Sequence, residues 1–146
     1  MNVVKKMKEV SSIVGGEGGG GIIYPELHYG RDALVGIALF LALLVDKKCK
    51  VSELKPQYSE YFMKKIKITL EDSNLIDRSF KVIAENYSEL SPNTEDGVRI
   101  DFEDAWVHMR KSNTEPIIRI FAEANSQNIA NSYALKIEKE IKSISA

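Results

Sequence analysis

Apolar and polar residues alternate along four segments in the part of the chain after Tyr61. These segments cover residues 64–69, 98–102, 105–110 and 117–124. Such alternation is typical of strands that turn one face toward a core. Apolar residues at helical spacing predict two helices, one beginning near Ser73 and one running from about Gln127 to Ser143. The order strand, helix, three strands, helix predicts an antiparallel sheet with its helices on one face.

The first part of the chain shows shorter elements. Apolar residues at helical spacing predict a short opening helix, and the β-branched runs 11–14 and 21–24 predict two strands with glycines between them. Asp32 then begins a helix that extends to about Lys48, and its carboxylate can cap the first turn. This helix is apolar on nearly every face, so we expect another surface to bury it.

The sequence Lys-Pro-Gln at residues 55–57 marks a predicted domain boundary, after a short helical turn at 51–54. We therefore expect one unit at residues 1–56, a linker at 57–65 and a second unit at 66–146. The predicted fold class is α+β, because short strands and helices precede a mainly antiparallel sheet with two helices.

Composition restricts the classes of function. Lysine and arginine number 20 and aspartate and glutamate 21, without a basic stripe, which argues against nucleic-acid binding. Cys49 is the single cysteine, which excludes an intramolecular disulfide and fits a reducing compartment. The apolar run at 33–45 is shorter than the roughly 20 residues that span a bilayer. With no evident signal peptide, we expect a cytoplasmic protein without a membrane segment.

Two polar loops carry the candidate chemistry. Ser112, Asn113 and Thr114 lie between two predicted strands, with Arg110 and Arg119 at the strand ends. Arginines and small hydrogen-bond donors suit a phosphate, although serine, asparagine and threonine are equally typical of an ordinary hairpin turn.

The second loop covers residues 15–21, where glycines surround Glu17. Glycines let a backbone approach a ligand closely, and a carboxylate can accept hydrogen bonds from sugar hydroxyls. A flexible hairpin connection would show the same composition. The loop lacks the spacing and the lysine of a nucleotide-binding loop.

These two loops together resemble a known family. The run from Trp106 to Arg119, Trp-x-x-x-Arg-x-Ser-Asn-Thr-Glu-Pro-x-x-Arg, resembles the phosphate-binding loop in the last domain of the α-D-phosphohexomutases. The run Gly-Glu-Gly-Gly-Gly at residues 16–20 resembles the sugar-binding loop of the same family. Family members have four domains, and this chain resembles the end of domain three followed by domain four. The resemblance implies a partial domain three and a four-stranded domain four similar to the TATA-box-binding protein.

The resemblance also implies roles for individual residues. The residues implied to bind the sugar are Glu17, Gly18, Gly19 and Arg31. Those implied to bind the phosphate that is not transferred are Arg110, Ser112, Asn113, Thr114 and Arg119. From the residues alone, Arg31 could reach toward a substrate phosphate or the glycine loop, or lie in solvent. The chain departs from the family pattern at Gly19, Ala33, Ala105 and Lys111.

The family's phosphorylated serine and its Asp-x-Asp-x-Asp magnesium loop do not occur in this sequence. We therefore expect no catalytic residue and no cofactor in this chain, and Mg²⁺ is implied only for a complete family enzyme. His28 and His108 have no cysteine or carboxylate cluster near them in sequence, so no metal site is expected.

The leading hypothesis is a C-terminal substrate-binding part of a phosphohexomutase, whose catalytic groups lie on another polypeptide. A non-catalytic hexose-phosphate-binding module and an inert remnant of a truncated gene are the alternatives. The expected partners are a hexose phosphate and either a second copy of the chain or an amino-terminal mutase half on another chain. The apolar helix favours such pairing, because exposed apolar patches bind partners.

Overall fold

The computed structural model describes residues 2–69, 73–112 and 115–145. The chain divides into two compact units, Met1–Tyr58 and Ser59–Ala146. None of the described helices is both long enough and apolar enough to cross a membrane.

The first unit is a small three-stranded sheet with helices. Its elements are α1 (Asn2–Glu9), β1 (Gly15–Gly16), β2 (Ile22–Tyr24), β3 (His28–Arg31), α2 (Ala33–Lys47), α3 (Val51–Leu54) and a 3-10 turn (Lys55–Gln57). The strands are antiparallel in the order β1-β2-β3. The strand predicted at residues 11–14 is wrong, because Ser11 has a φ of 52° and pairing begins only at Gly15. Strand β3 was not predicted, since it carries no alternating apolar pattern.

Helix α2 begins and ends as the sequence indicates. Asp32 is its N-cap and accepts a hydrogen bond from the Val35 amide at 3.0 Å, which satisfies one of the free N–H groups of the first turn. Lys48 ends the helix in the left-handed conformation. No residue of α2 is buried, although the helix is rich in leucine, isoleucine and valine.

The second unit is a four-stranded antiparallel sheet with two long helices, as predicted. Its elements are β4 (Phe62–Thr69), α4 (Ser73–Asn86), a 3-10 turn (Ser88–Leu90), β5 (Val98–Asp101), β6 (Ala105–Lys111), β7 (Ile117–Ala124) and α5 (Gln127–Ser145). The strand order is β4-β7-β6-β5. The sheet and its helices confirm the predicted mixed fold class.

The core of this unit lies between one face of the sheet and the two helices. Met109 and Ile120 from the strands are fully buried with Ile83 of α4 and Ile137 of α5. Each such side chain contributes about 1.5–3 kcal/mol through its burial. Alternate residues of the strands lie on the opposite face of the sheet, and the candidate arginines are on that face.

Candidate functional site

The glycine loop is a tight turn between β1 and β2. The Glu17 amide donates to the Gly21 carbonyl at 2.9 Å, and the Gly20 amide donates to the Glu17 carbonyl at 2.8 Å. Gly20 has a φ of +84°, which glycine adopts without strain. A Cβ atom on Gly18 or Gly19 would meet nothing within 4 Å, so these two glycines leave open space beside Glu17.

Arg31 lies against this loop, although it is fourteen positions away in sequence. Its Nη1 donates to Glu17 Oε2 at 3.1 Å. A Cβ atom on Gly21 would lie 2.7 Å from Arg31 Cδ, so the glycine makes room for the arginine side chain. Of the possibilities that the sequence left open for Arg31, the structure shows contact with the glycine loop. The ion pair orients the Glu17 carboxylate.

His28 and Asp32 form a second pair beside Arg31. The Gly30 amide donates to His28 Nδ1 at 2.9 Å, so the opposite nitrogen, Nε2, can donate to Asp32 Oδ2 at 3.1 Å. The backbone amide of Val35 and, after it, the His28 ring hold the pKa of Asp32 below its ordinary value. Asp32 is therefore an ionised helix cap.

The serine loop connects β6 to β7 at the end of the sheet. Arg110 and Arg119 are directly opposed in the pairing of these strands. The Arg119 Nη2 atom donates to Ser112 Oγ at 3.5 Å, and the Ser112 amide donates to the Ile117 carbonyl at 3.0 Å. The structure therefore brings Arg110, Ser112 and Arg119 together. Asn113 and Thr114 lie outside the described residues.

Arg110 is held by a residue that the sequence analysis did not identify. Its Nη2 lies 2.9 Å from Asp96 Oδ2. The Asp96 carbonyl accepts a hydrogen bond from His108 Nε2 at 2.6 Å, and Gly97 lies so close to the Met109 carbonyl that a Cβ atom would collide with it. These contacts hold the Asp96–Gly97 turn against β6 beside Arg110. No local pattern could reveal this contact, because it depends on how the turn meets the neighbouring strand.

Lys111 forms an ion pair with helix α4 and not with a residue of the serine loop. Its Nζ lies 3.3 Å from Asp77 Oδ1 on α4, so the residue that departs from the family pattern joins the loop to a helix.

A cleft of about 670 Å³ lies between α4 and β5, and Asp96 and Lys111 contribute to its wall. Among the predicted site residues that the structure describes, none lines that cleft.

Metal-ligating side chains do not cluster in the part of the chain that the structure describes. In residues 2–69, 73–112 and 115–145, no three histidine, cysteine, aspartate or glutamate side chains converge on a common position.

Comparison with protein families agrees with this fold. The family model "Phosphoglucomutase/phosphomannomutase, C-terminal domain" matches residues 47–140. The model "Phosphoglucomutase/phosphomannomutase, alpha/beta/alpha domain III" matches residues 1–61. The chain belongs to the phosphoglucomutase/phosphomannomutase family. The resemblance drawn from the two loop motifs is confirmed.

Similar family members are much longer than this chain. A phosphoglucosamine/phosphogalactosamine mutase of Sulfurisphaera tokodaii is 36% identical over 141 residues, which is 95% of this chain and 31% of that protein. A phosphoglucomutase/phosphomannomutase of Thermococcus kodakarensis is 36% identical over 137 residues, or 90% of this chain and 29% of that protein. The chain thus spans about a third of the length of these relatives.

Solved structures of the phosphoglucomutase/phosphomannomutase family share the fold. A family protein from Burkholderia thailandensis superposes with a TM-score of 0.73 at 22% identity, covering 97% of this chain and 30% of that one. The Aspergillus fumigatus N-acetylphosphoglucosamine mutase, solved with GlcNAc-6P and magnesium, gives a TM-score of 0.53 at 17% identity, covering 81% of this chain and 22% of that one.

Proposed function

We propose that this chain is the C-terminal substrate-binding part of a phosphohexomutase, an intramolecular phosphotransferase that interconverts hexose 1- and 6-phosphates. The observation that carries the proposal is the direct opposition of Arg110 and Arg119 beside Ser112, within a chain of this family. Like charges at opposed strand positions are unfavourable unless something compensates them, and a phosphate would do so.

The serine loop would hold the phosphate that is not being transferred. Arg110 and Arg119 each offer planar donors that suit two phosphate oxygens, and the Ser112 hydroxyl adds a further donor. Asn113 and Thr114 complete the loop in this proposal. Asp96 keeps the Arg110 guanidinium in place before the ligand arrives, which lowers the entropy lost on binding.

The glycine loop would bind the sugar. The Glu17 carboxylate can accept hydrogen bonds from two hydroxyls, while Gly18 and Gly19 let the ring approach the backbone. Arg31 orients Glu17 through the 3.1 Å contact. In this proposal Arg31 positions Glu17 and does not contact the sugar directly.

Phosphoryl transfer needs an in-line nucleophile and a group that neutralises charge on the leaving oxygen. The family's segments for both roles are not in this sequence. The proposal therefore assigns binding to this chain and chemistry to an amino-terminal part of a mutase.

Titration calorimetry with glucose 1-phosphate, mannose 1-phosphate and glucosamine 6-phosphate tests the proposed binding. We expect Arg110→Ala to weaken binding by at least about tenfold, because a charge-assisted hydrogen bond contributes about 1.5–3 kcal/mol. Arg99→Ala is the matched control, since Arg99 lies on the same sheet face but pairs with Asp101. Equal affinities of wild type and Arg110→Ala, or no binding by the wild type, would contradict the proposal.

A non-catalytic hexose-phosphate-binding module is the second candidate. It is favoured by the convergence of Arg110, Ser112 and Arg119 in a sequence that lacks the family's phosphoserine and magnesium segments. Mixing the chain with a separately produced amino-terminal part of a mutase distinguishes the two. Mutase activity that depends on Arg110 supports the first candidate, and binding without restored activity supports the second.

A further inference from the structure

The register of the four-stranded sheet places three basic residues side by side on the face opposite α4 and α5. Lys67 on β4 lies opposite Arg119 on β7, and Arg119 lies opposite Arg110 on β6. Directly opposed side chains on antiparallel strands share one face, with their Cβ atoms about 5 Å apart. We refer to Lys67, Arg119 and Arg110 as the cation row.

The cation row is only partly neutralised. Arg110 pairs with Asp96 at 2.9 Å, and Lys67 pairs with Glu115 at 3.6 Å. Arg119, in the middle, has no carboxylate within ion-pair distance among residues 2–69, 73–112 and 115–145. Opposed like charges raise the free energy of the sheet. An anion placed over the row would relieve this repulsion from all three residues.

Lys67 is also joined to the serine loop itself. Its partner Glu115 comes at the end of that loop, and both side chains are about half-exposed, at 57% and 49%. A lysine ammonium on a flexible four-carbon stem can move from a carboxylate to a nearby phosphate oxygen. The charge of Lys67 is therefore accessible to a ligand at the mouth of the loop.

We infer that Lys67 is a third phosphate-binding cation, which acts with Arg110 and Arg119 on the phosphate of the bound sugar. This inference rests on the proposed function of the serine loop. Lys67 lies outside the loop motif in sequence, and strand pairing alone brings it to the site.

Titration of the full chain with glucose 1-phosphate tests this role through Lys67→Met. Methionine keeps an unbranched apolar side chain and removes the charge. We expect binding to weaken by about two- to fivefold, the range for an exposed charge contact, and to depend less steeply on salt concentration. Lys67→Arg should bind as the wild type does, because it restores the charge.

Glu115→Gln separates direct binding from an indirect effect. If Lys67 contacts the phosphate, freeing it from Glu115 strengthens binding, and the double variant Lys67→Met/Glu115→Gln remains weaker than Glu115→Gln alone. If the double variant binds as tightly as Glu115→Gln alone, Lys67 only neutralises Glu115 and the inference is overturned.

Lys65→Met is the matched control, because Lys65 lies on the same face of β4 but opposite Phe121. Equal losses in Lys65→Met and Lys67→Met would indicate a general field effect and overturn the inference. Wild-type affinity in Lys67→Met, together with loss of binding in Arg110→Ala, would refute the role of Lys67 and leave the proposed function standing. Absence of binding in all variants and in the wild type would refute both.

Discussion

Gly97 helps to position the candidate phosphate site although it is not one of the proposed ligand-binding residues. Gly97 has a φ of +82° and packs against the Met109 carbonyl, so the neighbouring Asp96 can reach Arg110. The preference for glycine here is steric, because both the backbone conformation and the lack of space exclude a side chain. A residue that touches no ligand thereby sets the position of one that is proposed to bind phosphate.

We predict that Gly97→Ala lowers the free energy of unfolding by about 1–3 kcal/mol, from left-handed strain and the displaced turn. It should also weaken sugar-phosphate binding, because Asp96 is moved away from Arg110. Urea unfolding measures the first effect and calorimetry the second. Gly18→Ala is the stability control, with an expected change within about 0.5 kcal/mol, since no atom lies within 4 Å of the added methyl group. Equal stability of the two variants would contradict this account.

The residues of the site differ in how well the sequence predicts them. Arg110, Ser112 and Arg119 follow from one continuous motif, and the structure places them together. Asp96 does not follow, because it reaches Arg110 from the turn before β5. Lys67 does not follow either, because it reaches the site through the pairing of β4 with β7, which are distant in sequence. Trp106 lies half-buried on the same sheet face as Arg110 and donates to Glu123 at 3.0 Å.

At the scale of elements, helices α4 and α5 are joined by a hydrogen bond as well as by apolar packing. The Tyr87 hydroxyl, just after α4, donates to Glu140 Oε1 on α5 at 2.8 Å. The Tyr87 ring also meets Phe102 edge-on, with the ring centroids 5.8 Å apart. Burial and the neighbouring Glu140 carboxylate raise the pKa of Tyr87 well above its ordinary value.

We predict that Tyr87→Phe costs about 1 kcal/mol of unfolding free energy at neutral pH, the contribution of one hydrogen bond. The folded state favours the protonated phenol, so this stability is complete below the ordinary pKa of 10 and falls as pH rises above it. The variant lacks this alkaline loss, so its difference from the wild type should shrink above pH 10. Guanidinium unfolding at several pH values measures the difference in unfolding free energy between the wild type and Tyr87→Phe. A difference that stays constant above pH 10 would contradict the raised pKa of Tyr87.

Strong alternation makes the elements of the second unit predictable. Strands β5 and β6 bury every second side chain in a continuous core, and β7 does so from Ile118 onward, so their sequences alternate. The small sheet of the first unit lacks this constraint. Strand β1 is two glycines and β3 is exposed along its whole length, so neither leaves an apolar signature. The predicted domain limits at residues 56 and 66 stay a prediction.

At the scale of the whole molecule, the main unexplained feature is the exposed apolar surface of helix α2 in the first unit. Leu34, Leu41 and Val45 on α2 are 78%, 55% and 76% exposed. Exposed apolar surface of this kind commonly marks an interaction site. We propose that it is covered by a second copy of the chain or by an amino-terminal part of a mutase.

We predict that the purified chain self-associates and that Leu34→Lys/Leu41→Lys reduces this association, because both lysines would be buried unpaired in the contact. Analytical ultracentrifugation measures the mass distribution. Leu135→Lys is the control, since Leu135 on α5 is similarly exposed, at 53%. A wild type that remains monomeric at every concentration, or a control that dissociates equally, would count against α2 as the contact surface.

Strand β4 lies at one edge of its sheet, so one side of its backbone has no neighbouring strand within the sheet. An unpaired strand edge is a template for amyloid-like growth, and lysine side chains along it discourage such pairing by repulsion. Lys64, Lys65 and Lys67 lie on β4, so the strand that we propose helps to bind phosphate also carries charges that oppose aggregation. Neutralising these lysines together would therefore favour fibre formation, and polyanions that bind them would do the same.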